Sequence, residues 1–111
     1  MSQFFRIHPV NPQPRLVHQA VEILNKGGVI VYPTDSAYAL GCHIGDKKAM
    51  DRIRDIRRLH SDHHFALVCL DLSGLSIYAK VHNSAYRQIK AATPGPYTFI
   101  LPASREVPRR L

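Results

Sequence analysis

At 111 residues the chain has room for one domain with a modest core. Its 45% apolar content with mixed charge excludes a disordered chain, and no apolar run approaches the roughly 20 residues of a membrane span. Fifteen Lys and Arg against eight Asp and Glu leave a net charge of +7, which attracts polyanions such as nucleic acid or nucleotide phosphates.

Asn11-Pro12-Gln13-Pro14 reads as a turn, with Pro14 suited to the first turn of a helix. From Leu16 to Lys26 the apolar residues Leu16, Val17, Ala20, Val21, Ile23 and Leu24 fall at helical spacing, and Gly27-Gly28 stops the helix. Val29-Ile30-Val31-Tyr32 then reads as a core strand. It is interrupted by Pro33, Thr34, Asp35 and Ser36 before apolar side chains resume through Leu40, Cys42 and Ile44. Asp46 is placed to cap a second helix reaching about Arg58, with Ala49, Met50, Ile53 and Ile56 as its apolar stripe. Phe65 to Leu70 is a further buried-strand candidate, and Asp71-Leu72-Ser73 begins a short helical turn. Asn83-Ser84 is placed to cap a third helix carrying Ala85, Tyr86 and Ile89. Thr93-Pro94-Gly95-Pro96 makes a turn before a last strand, Tyr97 to Leu101. Dense alternation of this kind predicts an α/β (α+β) chain with a mixed sheet. The ten residues after Leu101 contain nothing able to cover a sheet face, so the expectation is one domain over 1–111, truncated at its C-terminus.

The start of the chain shows no cationic stretch followed by a long apolar run and a small-residue cleavage site, so no secretory signal is expected. Cys42 and Cys69, both in apolar surroundings and not spaced as CxxC, predict reduced, buried thiols in a cytoplasmic protein. His60, His63 and His64 lack a converging Cys or carboxylate apart from Asp62, so no metal site is expected.

The stretch from Lys26-Gly27-Gly28 through Val29-Ile30-Val31-Tyr32-Pro33-Thr34-Asp35-Ser36 to Tyr38-Ala39-Leu40-Gly41-Cys42 resembles the signature of the YrdC/YciO family. Thr93-Pro94-Gly95-Pro96-Tyr97-Thr98-Phe99-Ile100-Leu101 resembles its second signature, and Val107-Pro108-Arg109 agrees as well. Ala39 stands where the YrdC branch usually has Gly, which is similar to the YciO branch. The resemblance is to the N-terminal part of a family whose members usually run to about twice this length.

It implies a YrdC/RibB-like twisted mixed sheet with packed helices and a positively charged concave surface. The activity it implies is synthesis of L-threonylcarbamoyladenylate from L-threonine, bicarbonate and ATP with Mg²⁺, on the way to tRNA threonylcarbamoyladenosine. It also implies binding of double-stranded RNA or tRNA. On this reading Thr34, Asp35, Ser36 and Tyr38 form a threonine-like pocket, with Asp35 accepting from the amine, the hydroxyls working either way and Gly41 letting backbone approach. The alternative is that Thr34 and Ser36 bond their own turn.

The implied phosphate-binding residues are Arg54, Arg57, Arg58 and Thr98. Against the family's Lys-x-Arg-Pro, this chain reads Arg57-Arg58-Leu59-His60, so a cation stands at the Lys position but Leu59 replaces the Arg. These cations also suit the helix C-terminus, which leaves that alternative open. The family's Ser-x-Asn nucleotide motif has no counterpart in the 111 residues, so synthase activity is not expected of them alone. Lys47, Lys48, Arg52, Arg54, Arg57 and Arg58 crowd the second helix and suit the phosphates of an RNA duplex. The alternative is a solvated helix laced by Lys47 with Asp51 and Asp55 with Arg58. Three readings remain open: a synthase-family enzyme, an RNA- or nucleotide-binding YciO-type protein without synthase activity, and an inactive fragment.

Overall fold

The computed structural model describes residues 2–109 and 111. Two compact units divide the chain, the first running through Leu59 and the second from His60 to Leu111.

In the first unit, α1 (Pro14–Asn25) opens with proline at its start, where the missing N–H has no intrahelical partner to lose. It ends as Gly27 takes φ +85°, with Gly27 N–H donating to the Leu24 carbonyl at 3.1 Å and Gly28 N–H to Ile23 at 2.8 Å. A Cβ on Gly28 would stand 2.8 Å from the Ile23 carbonyl oxygen. The glycine pair of the first signature is therefore explained by how the helix stops. Next, β1 (Ile30–Pro33) pairs antiparallel with β2 (Tyr38–Gly41), in the register Ile30 to Gly41, Val31 to Leu40, Tyr32 to Ala39 and Pro33 to Tyr38. The apolar run that resumes after Ser36 is thus the return arm of a hairpin.

Helix α2 (Lys47–Arg57) begins at Asp46, whose carboxylate accepts from Ala49 N–H at 3.0 Å. Ala49, Met50 and Ile53 are buried, as the stripe predicts, whereas Ile56 is 55% exposed and Arg54 takes the fourth buried position. The helix closes with Arg58 in the left-handed region (φ 54°, ψ 47°) and Leu59 N–H donating to the Arg54 carbonyl at 2.9 Å.

In the second unit, α3 (Leu72–Tyr78) is capped by Asp71, which accepts from Gly74 N–H at 2.8 Å. Helix α4 (Asn83–Ala92) is capped one residue earlier than predicted: Asn83 is its first residue, and the cap position falls to His82, which makes no side-chain bond. Ile89 is buried. An antiparallel bridge joins Ala79 to Ala103, flanked by Lys80 N–H to Pro102 O and Ser104 N–H to Tyr78 O, both at 2.9 Å.

The α/β class holds, and among the described residues its sheet is the two-stranded β1–β2 hairpin. Phe65–Leu70 and Tyr97–Leu101, expected as strands, form none. The physical reason is that a strand is defined by its hydrogen-bonded neighbour, and among the described residues the backbone from Ala66 to Leu70 and from Thr98 to Leu101 has none. No helix is long and apolar enough to cross a membrane among the described residues.

Candidate functional site

The hairpin tip carries the predicted pocket residues. Thr34 and Ala37 face each other, with Thr34 N–H donating to the Ala37 carbonyl at 3.0 Å. The return bond is made by the Thr34 hydroxyl: Oγ1 accepts from Ala37 N–H at 3.1 Å and Ser36 N–H at 3.3 Å, and donates to the Ala37 carbonyl. A hydroxyl has one proton and two lone pairs, so Thr34 Oγ1 is fully used by its own turn. These are the bonds of the turn that the sequence allowed for Thr34. Ser36 Oγ lies 3.5 Å from Thr34 Oγ1.

Asp35 and Ser36 occupy the two central positions of the turn, and Thr34 through Tyr38 are all exposed. Their arrangement offers one carboxylate acceptor, one hydroxyl and, from Tyr38, a ring that is 75% exposed. Tyr38 shares its sheet face with Val31 and Pro33, both exposed, and with half-buried Leu40. On the opposite face the Tyr32 ring covers Gly41, where an added Cβ would meet Tyr32 Cε1 at 2.8 Å. The sequence expectation gave that space to a ligand; the neighbouring strand fills it. The signal for this was the hairpin register, which requires recognising Thr34–Ala37 as a turn.

The cations of α2 divide by burial. Arg54 is 7% exposed and donates through Nη1 to Asp51 Oδ1 at 3.2 Å, so this side chain is part of the packing of its unit. Lys47, Lys48, Arg52, Arg57 and Arg58 are exposed. Lys48 and Arg52, four residues apart, share the outer helix face with Asp55, while Arg57 and Arg58 stand at the C-terminal end. The predicted pairs Lys47 with Asp51 and Asp55 with Arg58 do not form among the described residues. Thr98 lies in the second unit and is exposed.

Cys42, beside this hairpin in sequence, and Cys69 are free thiols, but both are half-buried rather than buried as expected. Burial, and then the nearby Asp46 charge, push the Cys42 thiol above the ordinary value of 9.0. It is therefore held protonated and is a poor nucleophile. Among the described residues no group of three or more His, Cys, Asp or Glu is placed to hold a metal ion.

A short antiparallel hairpin following a glycine-terminated helix, with a polar tip and a cation-rich helix after it, defines a mixed α/β protein. The family model that matches residues 22–111 is that of the Sua5/YciO/YrdC domain, described as "Telomere recombination". The chain belongs to this family. Over all 111 residues it is 71% identical to an uncharacterized protein of Haemophilus influenzae and 66% identical to the "Uncharacterized protein YciO" of Escherichia coli K12. It spans 54% of the length of each. It is 38% identical over 104 residues to the threonylcarbamoyl-AMP synthase of Chromobacterium violaceum, covering 93% of this chain and 54% of the synthase. The crystal structure of E. coli YciO superposes on the whole chain with a TM-score of 0.93, again over 54% of the YciO chain.

Proposed function

We propose that the chain is an RNA-binding member of the YciO branch, reading the phosphates of double-stranded RNA or tRNA through α2. The observation that carries this is the division of charge on that helix. Asp51 is paired with Arg54, leaving Lys47, Lys48, Arg52, Arg57 and Arg58 exposed against Asp55 alone on the helix. A duplex is recognised mainly by shape and backbone charge, which such a surface suits. This role places the chain in the cytoplasm.

Binding to a short RNA duplex and to tRNA across a salt series tests the reading. We expect affinity to fall steeply as salt rises, and Arg57→Glu with Arg58→Glu to weaken binding by about tenfold or more and reduce the salt slope by about two. Absence of binding at low salt, or binding indifferent to salt, sinks it. Arg54 is not a suitable position for this test, because reversing a buried charge disturbs the fold before it reports on binding.

A second reading is favoured by the hairpin tip and by the identity to a threonylcarbamoyl-AMP synthase. Asp35, Ser36 and Tyr38 would meet the amine and side chain of L-threonine, with Thr34 holding the turn that presents them. ATP with Mg²⁺ and bicarbonate would be the co-substrates, the metal held through the nucleotide's phosphates. A rise in melting temperature with ATP and L-threonine together, lost in Asp35→Ala, supports this reading; an unchanged melting temperature removes it.

A further inference from the structure

The arm that leads into α1 is poor in backbone donors. Pro9, Pro12 and Pro14 have none, so between His8 and Arg15 only Val10, Asn11 and Gln13 carry an N–H. Two of those three donate to one atom, Nδ1 of His8: Val10 N–H at 3.2 Å and Asn11 N–H at 2.9 Å. His8 in turn donates its own backbone N–H to Gln13 Oε1 at 2.9 Å. Gln13 is the residue on which α1 starts, its carbonyl accepting from Leu16 N–H at 3.1 Å and Val17 N–H at 3.2 Å. From residue 2 to residue 12 no backbone–backbone hydrogen bond forms among the described residues, and every side chain is exposed apart from half-buried Phe5. The hydrogen bonds that fasten the arm to the helix start therefore all involve His8, ahead of the stretch 22–111 that carries the family's signature.

Both groups on Nδ1 are donors, so that atom must offer a lone pair: the ring is neutral, with its proton on Nε2. An imidazolium carries a proton on each nitrogen. Its Nδ1–H would point at two N–H groups that have no other acceptor among the described residues. Histidine is the side chain whose charge ordinarily changes between about pH 5 and pH 8. The charged and titratable side chains of the arm and of α1 are Arg6, Arg15, His18 and Glu22, and none of them pairs with His8. Glu22 is the first acid of the chain and stands beyond the midpoint of α1, so no carboxylate of the arm or of the first helical turn holds an imidazolium in place.

We propose that His8 is an acid-sensitive latch: neutral, it fixes the arm to the start of α1, and on taking a second proton from solvent it lets the arm go. The freed segment carries Phe4, 85% exposed, with Arg6 and Ile7. The helix and the β1–β2 hairpin stay folded, because their own bonds do not pass through the imidazole. The motif is a turn of the kind that Asn and Asp make with the backbone two residues on, rebuilt with an acceptor that titrates.

NMR of the isotopically labelled 111-residue chain between about pH 8 and pH 5 tests this. At the upper end we expect the His8 proton on Nε2 and none on Nδ1. On acidification the Val10 and Asn11 amide resonances should move in step with the His8 ring. Their exchange protection, taken relative to the intrinsic rate at each pH, should fall about fivefold or more, the worth of roughly one net hydrogen bond. The backbone of residues 2–7 should gain fast motion, while the Tyr32 and Ala39 amides of the hairpin keep their protection. His8→Asn supplies an amide oxygen that does not titrate, so its arm should stay latched at the acid end. His8→Phe should leave the arm open at both ends, and His18→Gln should leave the transition where it is in the parent. His8 is exposed, so these substitutions do not reach the core. A His8 that charges while Val10 and Asn11 keep their protection, an arm that opens in His8→Asn as it does in the parent, or a hairpin that loses protection together with the arm would each overturn the proposal.

Discussion

Thr34 has one proton and two lone pairs, and its turn engages all three. Thr34→Ala should therefore cost about 1 kcal/mol in urea unfolding, and Thr34→Ser should recover most of it. Asp35→Ala, with an exposed side chain, should stay within about 0.5 kcal/mol of the parent. Arg58 poses the opposite case: a side chain sits at φ 54°, where glycine is preferred. Arg58→Gly should stabilise the chain by up to about 1 kcal/mol in the same assay while weakening RNA binding, and a destabilised variant would show that the arginine earns its place in the fold. Cys42 adds a pH dependence. Burial first, and Asp46 second, raise its folded value above the ordinary 9.0. Above the unfolded value the unfolded thiol loses its proton while the folded one keeps it, so stability present at lower pH is lost as pH rises past that point. Unfolding of the parent and of Cys42→Ala at pH 8 and pH 10 should show a steeper loss in the parent.

The helices depend on their ends. A methyl group on Gly28 would press within 2.8 Å of the Ile23 carbonyl oxygen, which cannot move without opening the last turn of α1. Gly28→Ala should cost about 1–3 kcal/mol, read by thermal unfolding. These ends were legible in the sequence because capping chemistry is local: Pro14, Gly27, Asp46 and Asp71 each do in the structure what their residue type does elsewhere. Asn83 misled because a potential cap residue is also acceptable inside the first turn. Strands were less legible, because an apolar run such as Phe65–Leu70 specifies extended backbone but not a partner. β2 was missed since its turn, Thr34-Asp35-Ser36-Ala37, lacks the Gly or Asn that usually marks a hairpin. The same gap hid Tyr32 over Gly41. At the candidate site, residue identity revealed the exposed Asp35, Ser36 and Tyr38, while the burial of Arg54 depended on which face of α2 met the core.

The whole molecule is two units with small cores, Ala49, Met50 and Ile53 in the first and Ile89 in the second. With little apolar burial in either, the few contacts that join distant stretches of chain matter for the path of folding. The β1–β2 hairpin joins Pro33 to Tyr38 across four residues, whereas the bridge in the second unit joins Ala79 to Ala103. Closing the longer loop costs about 1.4 kcal/mol more in chain entropy. Hairpins form in about 1–10 μs, so the tip that presents Asp35 and Ser36 is set early. The Ala79–Ala103 closure, which requires α3, α4 and the Thr93–Pro96 turn to lie between its ends, comes later. In pulse-labelled hydrogen exchange the amides of Tyr32 and Ala39, a hydrogen-bonded pair of the hairpin, should gain protection before those of Lys80 and Ser104. The part of the chain bearing the signature residues is then a native-like nucleus while the second unit is still assembling, and a chain interrupted partway through folding would present the hairpin tip already formed.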